Sequence, residues 1–248
     1  MKRKKIFGRL MPVAAVTLLL LFAFWYGGNA PGLRGWNVSH VDEAERAGTT
    51  GGQDVVSTGD REYSIKQGMV LDPETGLDEF QTGSVPDGKP VPVNPEDAEL
   101  GSGTFRCTIS ISCASILEHE DWLDPEKKEL VPRDGWILKP HEVTVREGEN
   151  VFGLLQKTCK QNNIHMEFVD TPLYNSAYIE GIGNLYEFDC GELSGWMYRV
   201  NGWFPNYGCS RYQLKEGDVV EWVYTCELGR DVGADERVDG SDAGGKKQ

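Results

Sequence analysis

All six cysteines of this 248-residue chain lie between residues 104 and 229, the stretch that also carries its regular apolar patterns. Residues 31–103 are instead rich in Gly, Pro, Asp, Glu, Ser and Thr, and their few apolar residues follow no period. Such a segment cannot bury enough apolar surface to offset the chain entropy that is lost on folding. The sequence therefore predicts one folded domain over residues 104–229, a disordered acidic linker over residues 31–103 and a disordered tail over residues 230–248.

The first 30 residues indicate export. A basic cluster at residues 2–5 precedes an uncharged, mostly apolar stretch at residues 11–26, and this order is typical of a signal segment. Small residues at positions 28–30 suit a signal peptidase, whereas Trp25 and Tyr26 end the apolar run as interfacial aromatic residues do. Residues 1–30 are thus a cleaved signal peptide or, the slightly favoured interpretation, a signal anchor. We expect an extracytoplasmic protein that is secreted or held in the membrane through residues 6–26.

The charge of the chain limits its partners. Its formal net charge is −14 at pH 7, and the acidic residues lie in the part that follows the basic N-terminus. An acidic surface repels phosphate backbones, so nucleic acid is a poor partner.

Residues 104–229 predict an α+β domain that is rich in strands. Residues 107–113 alternate between apolar and polar side chains, as a half-buried strand does. Asn150 can cap a helix whose apolar residues recur at helical spacing from Val151 onward. Asn201-Gly202, between two apolar runs, is the preferred two-residue hairpin turn. Strands, one main helix and further strands, with residues 219–226 as a central strand, predict a small β-grasp-like fold.

The cysteines permit several arrangements. An even number in an exported chain allows up to three disulfides, and free buried thiols are the alternative. If Cys107 and Cys113 share a strand, they stand ~20 Å apart at ~3.3 Å per residue and cannot bond to each other. No metal site is predicted, because no C-x-x-C occurs and the histidines of this region are scattered. The candidate disulfide cysteines are Cys107, Cys113, Cys159, Cys190, Cys209 and Cys226.

Segments of this region resemble, in the same order, motifs of the transcobalamin-like C-terminal domain family, which also occurs in exported bacterial proteins. Residues 148–155 resemble the family's G-x-(S/T)-(V/L)-x-x-(L/V)-L opening, and residues 178–184 its I-x-x-I-x-x segment. Residues 195–202 resemble its W-x-(F/Y)-x-(V/L)-(N/S)-G strand and turn, and residues 215–222 its closing G-D-x-(V/I)-x-(W/F). In transcobalamin and intrinsic factor this small domain covers one face of cobalamin, and a large α/α-barrel covers the other. The resemblance implies a ligand-binding domain, although no segment here is expected to form that barrel.

Aromatic side chains around the predicted hairpin are the main candidates for ligand contact. Their flat rings could stack on a corrin ring or on a sugar. For Trp196 and Tyr198 the competing interpretation is a place in the core, whereas aromatic residues in the loop after the turn are harder to explain as core. Arg199 and Arg211 could bind an anionic group of a ligand or form ion pairs with neighbouring carboxylates. The predicted ligand-binding residues are Tyr178, Trp196, Tyr198, Trp203, Phe204 and Tyr207.

The sequence gives no sign of catalysis. It lacks a Gly-x-Ser-x-Gly motif, and no histidine has an evident cysteine or serine partner. We therefore expect no enzyme, no catalytic residues and no cofactor. The leading hypothesis is a binding module on a bacterial cell surface for cobalamin or another corrinoid, which would require a separate membrane transporter for uptake. The alternative is a structural or adhesive envelope module that binds protein or glycan without a small-molecule ligand.

Overall fold

The computed structural model describes residues 58–234. The predictions for residues 1–30, for the first part of the linker at residues 31–57 and for the tail from residue 235 onward lie outside the described residues. Between residues 58 and 234, no helix has both the length and the apolar character that a membrane crossing requires.

The described chain combines two sheets with short helices. Its strands and helices are α1 (Thr58–Lys66), β1 (Thr104–Ser112), β2 (Trp136–Arg146), α2 (Val151–Asn162), β3 (Met166–Thr171), β4 (Ser176–Ile182), β5 (Leu185–Tyr186), β6 (Gly195–Val200) and β7 (Val219–Thr225). One sheet has the order β2-β1-β7-β6 and the other the order β3-β4-β5. The predicted α+β, β-rich and β-grasp-like fold is confirmed.

The larger sheet is built around β1 and β7. β1 pairs antiparallel with β2 and parallel with β7, and β6 pairs antiparallel with β7. Ile109 and Ile111 of β1 are fully buried, and Trp222 and Tyr224 of β7 are nearly so. The two central strands therefore carry the core, and the predicted central position of residues 219–226 is confirmed.

Helix α2 begins where Asn150 predicts and ends at Asn163. The Asn150 side chain accepts a hydrogen bond from the Gly153 N–H at 2.8 Å, which satisfies a free donor of the first turn. Asn163 adopts the left-handed conformation, with φ 55°, and closes the helix. The apolar face, with Val151, Leu154 and Cys159 among its residues, is buried in the common core.

The predicted hairpin turn also forms. Asn201 and Gly202 both have positive φ, 51° and 70°, as a type I′ turn requires. The Asn201 side chain donates to Asp218 at 2.8 Å and accepts from the Val219 N–H at 2.9 Å. This turn is thereby fixed to the start of β7, and the loop that follows it has a defined starting point.

Residues 58–97 are ordered, so the prediction of a disordered linker over residues 31–103 is wrong for that part. We call residues 58–97 the N-terminal arm. It contains α1, a series of turns and a 3-10 turn at Pro95–Asp97. Val85 is fully buried and Met69 nearly so, and both belong to the core cluster. Isolated apolar residues suffice because they join the core cluster of the domain.

The C-terminal boundary also lies a few residues beyond the prediction. Residues 230–234 follow the domain in a 3-10 turn at Arg230–Val232. The Asp231 carboxylate accepts a hydrogen bond from the Cys226 N–H at 2.6 Å and another from the Thr225 hydroxyl. The prediction of a disordered tail from residue 230 is therefore wrong for these first residues, because a side-chain carboxylate ties them to the end of β7.

Candidate functional site

Trp196 and Tyr198 are part of the core, as one of the two interpretations held. The Trp196 indole N–H donates to the Leu185 carbonyl at 2.8 Å, and its ring meets Tyr224 edge-on. The Tyr198 hydroxyl donates to the Tyr207 carbonyl at 2.7 Å. Burial raises the pKa of Tyr198 well above its ordinary value, because the interior disfavours the phenolate. These side chains hold neighbouring segments in place rather than facing a ligand.

The loop after the hairpin places its aromatic residues differently from the sequence expectation. Trp203 and Tyr207 are buried, with Phe204 half-buried beside the Arg199 guanidinium at 5.7 Å. Trp203, Tyr207 and Tyr212 contact one another, with ring centroids 6.0 to 6.4 Å apart. The structure thus brings several predicted residues together, but as one side of a covered contact rather than as an open surface.

The N-terminal arm is the cover. The Tyr207 hydroxyl donates to the Pro90 carbonyl at 2.7 Å, and the Lys89 ammonium lies 5.6 Å from the centre of the Trp203 ring. The Asn206 side-chain amide donates to the Ser84 carbonyl at 3.1 Å. These contacts explain the low exposure of the loop aromatics, because the covering surface comes from a segment more than a hundred residues earlier.

Arg211 joins the arm to the domain from a buried position. Its side chain is 3% exposed, and its guanidinium donates to Asp78 and to Thr82, each at 2.7 Å. A third bond reaches Asn94 at 3.3 Å, and the Phe80 ring lies 4.8 Å from the guanidinium carbon. Its Nε atom is buried without a partner among the described residues. Arg211 therefore forms an ion pair with a carboxylate, as one of the two interpretations held. That carboxylate, Asp78, lies in the segment predicted to be a linker.

A cleft of about 1020 Å³ opens where the arm meets Arg211. Its walls combine apolar side chains, carboxylates and backbone. They include Val70, Asp72, Leu77, Asp78, Val91, Asn94 and Arg211. The six predicted ligand-binding residues do not line it. Sequence reasoning missed this site because its walls come from the presumed linker. The polar residues of that segment, such as Asp78 and Asn94, show no spacing that would pair them with Arg211.

Tyr178 lies on a different surface. It is exposed on β4 opposite Val169 of β3, and its hydroxyl donates to the Glu187 carboxylate. Burial of the hydroxyl and the Glu187 carboxylate both raise the pKa of Tyr178. Leu173, at the turn between these strands, is also exposed. Tyr178 is therefore separate from the covered aromatic cluster and belongs to an exposed apolar patch.

All six cysteines are buried free thiols. Burial raises the pKa of Cys107 to about 11 and that of Cys113, Cys159 and Cys209 to about 12. A thiolate is therefore disfavoured at these positions, and such thiols are poor nucleophiles. Across residues 58–234, no group of His, Cys, Asp or Glu side chains has an arrangement that could hold a metal ion.

Residues 148–226 match a protein family described as a domain of unknown function (DUF4430). Among solved structures, one of haptocorrin in complex with Cbi is similar, with a TM-score of 0.38 and 15% sequence identity. This similarity covers 52% of the present chain and 26% of that chain, so it spans about a quarter of haptocorrin. A search of curated proteins gives no match.

Proposed function

We propose that this protein is an extracytoplasmic binding module that captures a compact ligand in the cleft between the N-terminal arm and Arg211. The cleft itself carries the proposal. Its volume of about 1020 Å³ stands at the upper end of the ~300–1,000 Å³ typical of small-molecule sites. A few fixed polar groups among apolar walls are also what such sites use for orientation and specificity.

A corrinoid is the ligand class to test first. The motifs at residues 148–155, 178–184, 195–202 and 215–222 resemble the transcobalamin-like family, whose best-known members cover cobalamin with this domain. A corrinoid presents a broad ring bordered by amide groups, and cobalamin adds a phosphodiester. Asp72 and Asn94 could meet amides, whereas the Arg211 guanidinium is already bonded to Asp78, Thr82 and Asn94 and is not free for an anionic group.

The cellular setting forms part of the same proposal. Residues 6–26 would anchor the protein in the membrane, unless cleavage releases it, and the folded part would lie outside. Capture of a ligand at this place needs no chemical step, so we propose a binding protein rather than an enzyme. Uptake of the ligand would require a separate membrane transporter.

Calorimetric titration of the protein from residue 31 onward, with cobalamin and with cobinamide, tests the proposal. Saturable binding is expected, and Val70→Glu should weaken it at least about ten-fold, because Val70 lines the cleft and is 85% exposed. Ile65→Glu is the matched control, since Ile65 is 51% exposed and lies outside the cleft walls. Absence of heat at high micromolar ligand would reject corrinoid binding. Equal effects of the two variants would reject the cleft as the site.

A second candidate function rests on the exposed patch of the β3–β4 hairpin. Val169 and Tyr178 are cross-strand partners on one face of the hairpin, and both are exposed, as is Leu173 at its turn. An exposed apolar surface marks a contact site for a partner. Such a patch favours an adhesive module that binds protein or glycan. Binding to an immobilised envelope extract should then be lost in Leu173→Asp and retained in Leu100→Asp, whose side chain is exposed elsewhere.

A further inference from the structure

The aromatic loop forms a groove whose residues all belong to the domain. Tyr198 fixes the backbone of the loop through its bond to the Tyr207 carbonyl, and the ring of Tyr198 meets that of Tyr212 edge-on at 6.4 Å. Trp203 is positioned by the hairpin turn, through backbone bonds between Val200 and Trp203 at 2.8 and 3.0 Å. We define the aromatic groove as the surface formed by Trp203, Asn206, Tyr207, Arg211 and Tyr212.

The occupant of the aromatic groove is a proline-rich stretch of the arm. Residues 84–95 contain Pro86, Pro90, Pro92 and Pro95. A turn at residues 86–89, in which the Lys89 N–H donates to the Pro86 carbonyl at 3.0 Å, precedes the extended stretch of residues 90–94. Asn94 has φ −70° and ψ 129°, close to the polyproline II conformation. A stretch in this conformation makes no hydrogen bonds within itself, so carbonyl groups of residues 90–94 can accept from a partner.

The contacts between groove and occupant follow the chemistry of proline-rich peptide recognition. The Tyr207 hydroxyl and the Asn206 amide donate to carbonyls of Pro90 and Ser84, at 2.7 and 3.1 Å. The Val93 N–H donates to the Arg211 carbonyl at 2.9 Å, and Lys89 lies over the Trp203 ring. Aromatic walls with donors aimed at carbonyls of a stiff segment are the features by which small domains bind such peptides. The stiffness lowers the entropy lost on binding.

We propose that the aromatic groove is a recognition site for a proline-rich extended segment, and that its exchange partner is residues 84–95 of a second copy of this chain. The groove lies wholly in the domain and the occupant wholly in the arm. The arm of a second copy can therefore make the same contacts with the groove as the chain's own arm does. The tether holds its own arm at an effective concentration in the millimolar range. Exchange between copies therefore occurs where copies are dense. This inference does not rest on the proposed ligand cleft.

The groove can be tested in the full chain with a protease site inserted after Leu100, which is 57% exposed. After cleavage, a fluorescent peptide of residues 78–97 should bind saturably, as measured by anisotropy, by replacing the severed arm. Tyr207→Phe should weaken binding about five-fold, the loss of one neutral hydrogen bond of ~1 kcal/mol. Tyr174→Phe is the control, because Tyr174 is exposed outside the aromatic groove. A peptide with Pro90→Ala and Pro92→Ala should also bind more weakly.

Two results would reject the proposal that the aromatic groove is a recognition site. One is a cleaved protein that stays folded, by circular dichroism, yet takes up no labelled peptide. The other is a protein that unfolds when the arm leaves, since the arm would then be an integral part of the core. The choice of partner is tested with the uncleaved chain, whose dimer fraction in size exclusion should rise toward millimolar concentration. A chain that remains monomeric there would overturn exchange between copies.

Discussion

Two tryptophans show how far the role of a side chain depends on what covers it. Trp203 is 5% exposed beneath the arm, whereas Trp122 is 49% exposed and stacks on His119 with ring centroids 4.2 Å apart. Trp203 was expected to face a ligand because it follows a turn in a Pro/Gly-rich loop. The sequence of the loop could not reveal its burial, because the covering residues lie in a segment that has no apolar period.

Trp203→Ala should therefore destabilise the protein rather than merely reduce binding. Removing a buried tryptophan deletes apolar contacts and leaves a cavity, at a typical cost of about 3–5 kcal/mol. Trp122→Ala should cost less than about 1 kcal/mol, since most of its ring already faces water. Urea denaturation of both variants measures the difference. Equal free energies of unfolding would mean that the arm does not bury Trp203 in solution.

At the scale of the elements, capping and turn residues were enough to place α2, the hairpin and most strands. A proline inside an extended run favours a break at that position, but β2 continues through Pro140. β2 is the outer strand of its sheet, and Pro140 lies at the register shift between the pairs Ile109–His141 and Ile111–Leu138, where a missing N–H is tolerated. The strand order was not available from the pattern, because the partner of an edge strand is set by tertiary packing.

The loop between β5 and β6 meets the end of β7 through two thiols. The Cys190 and Cys226 sulfur atoms lie 3.4 Å apart, and both side chains are buried. A disulfide requires an S–S distance of about 2.05 Å, so a small shift brings them within bonding reach. We predict that oxidised glutathione joins these two cysteines first, with two thiol hydrogens lost and glutathione disulfide reduced to two thiols.

Peptide mapping by mass spectrometry without reduction checks this pairing. The Cys190–Cys226 peptide should form before any other linked pair, and Cys226→Ser should leave Cys190 open to alkylation after denaturation. Cys159→Ser should leave the linked peptide unchanged. Another first pairing, or complete alkylation of the oxidised protein, would refute the prediction.

For the molecule as a whole, the buried thiols make stability depend on alkaline pH. The pKa of Cys113, Cys159 and Cys209 is raised by burial to about 12, from an ordinary value near 9. Above about pH 9 the unfolded chain releases protons that the folded protein retains, so the free energy of unfolding falls as pH rises toward about 12. Each such group contributes at most about 1.4 kcal/mol per pH unit.

Urea denaturation of the reduced protein at pH 8 and pH 10.5 measures this fall. Cys159→Ala should make the fall shallower, because its thiol pKa is raised by burial alone. An equal free energy of unfolding at the two pH values would contradict the prediction.

The pairing of β1 with β7 sets the order in which the molecule can assemble. Thr108 to Ser112 pair with Val219 to Val223. β1 is the first of the described strands in the chain and β7 the last, so this pairing cannot form until β7 has been synthesised. Until that segment has been synthesised, β1 keeps an open edge, with Ile109 and Ile111 lacking part of their eventual surroundings. Pairing across so long a separation slows folding. During synthesis the sheet therefore stays incomplete. The native state forms in a late step that needs nearly the whole polypeptide.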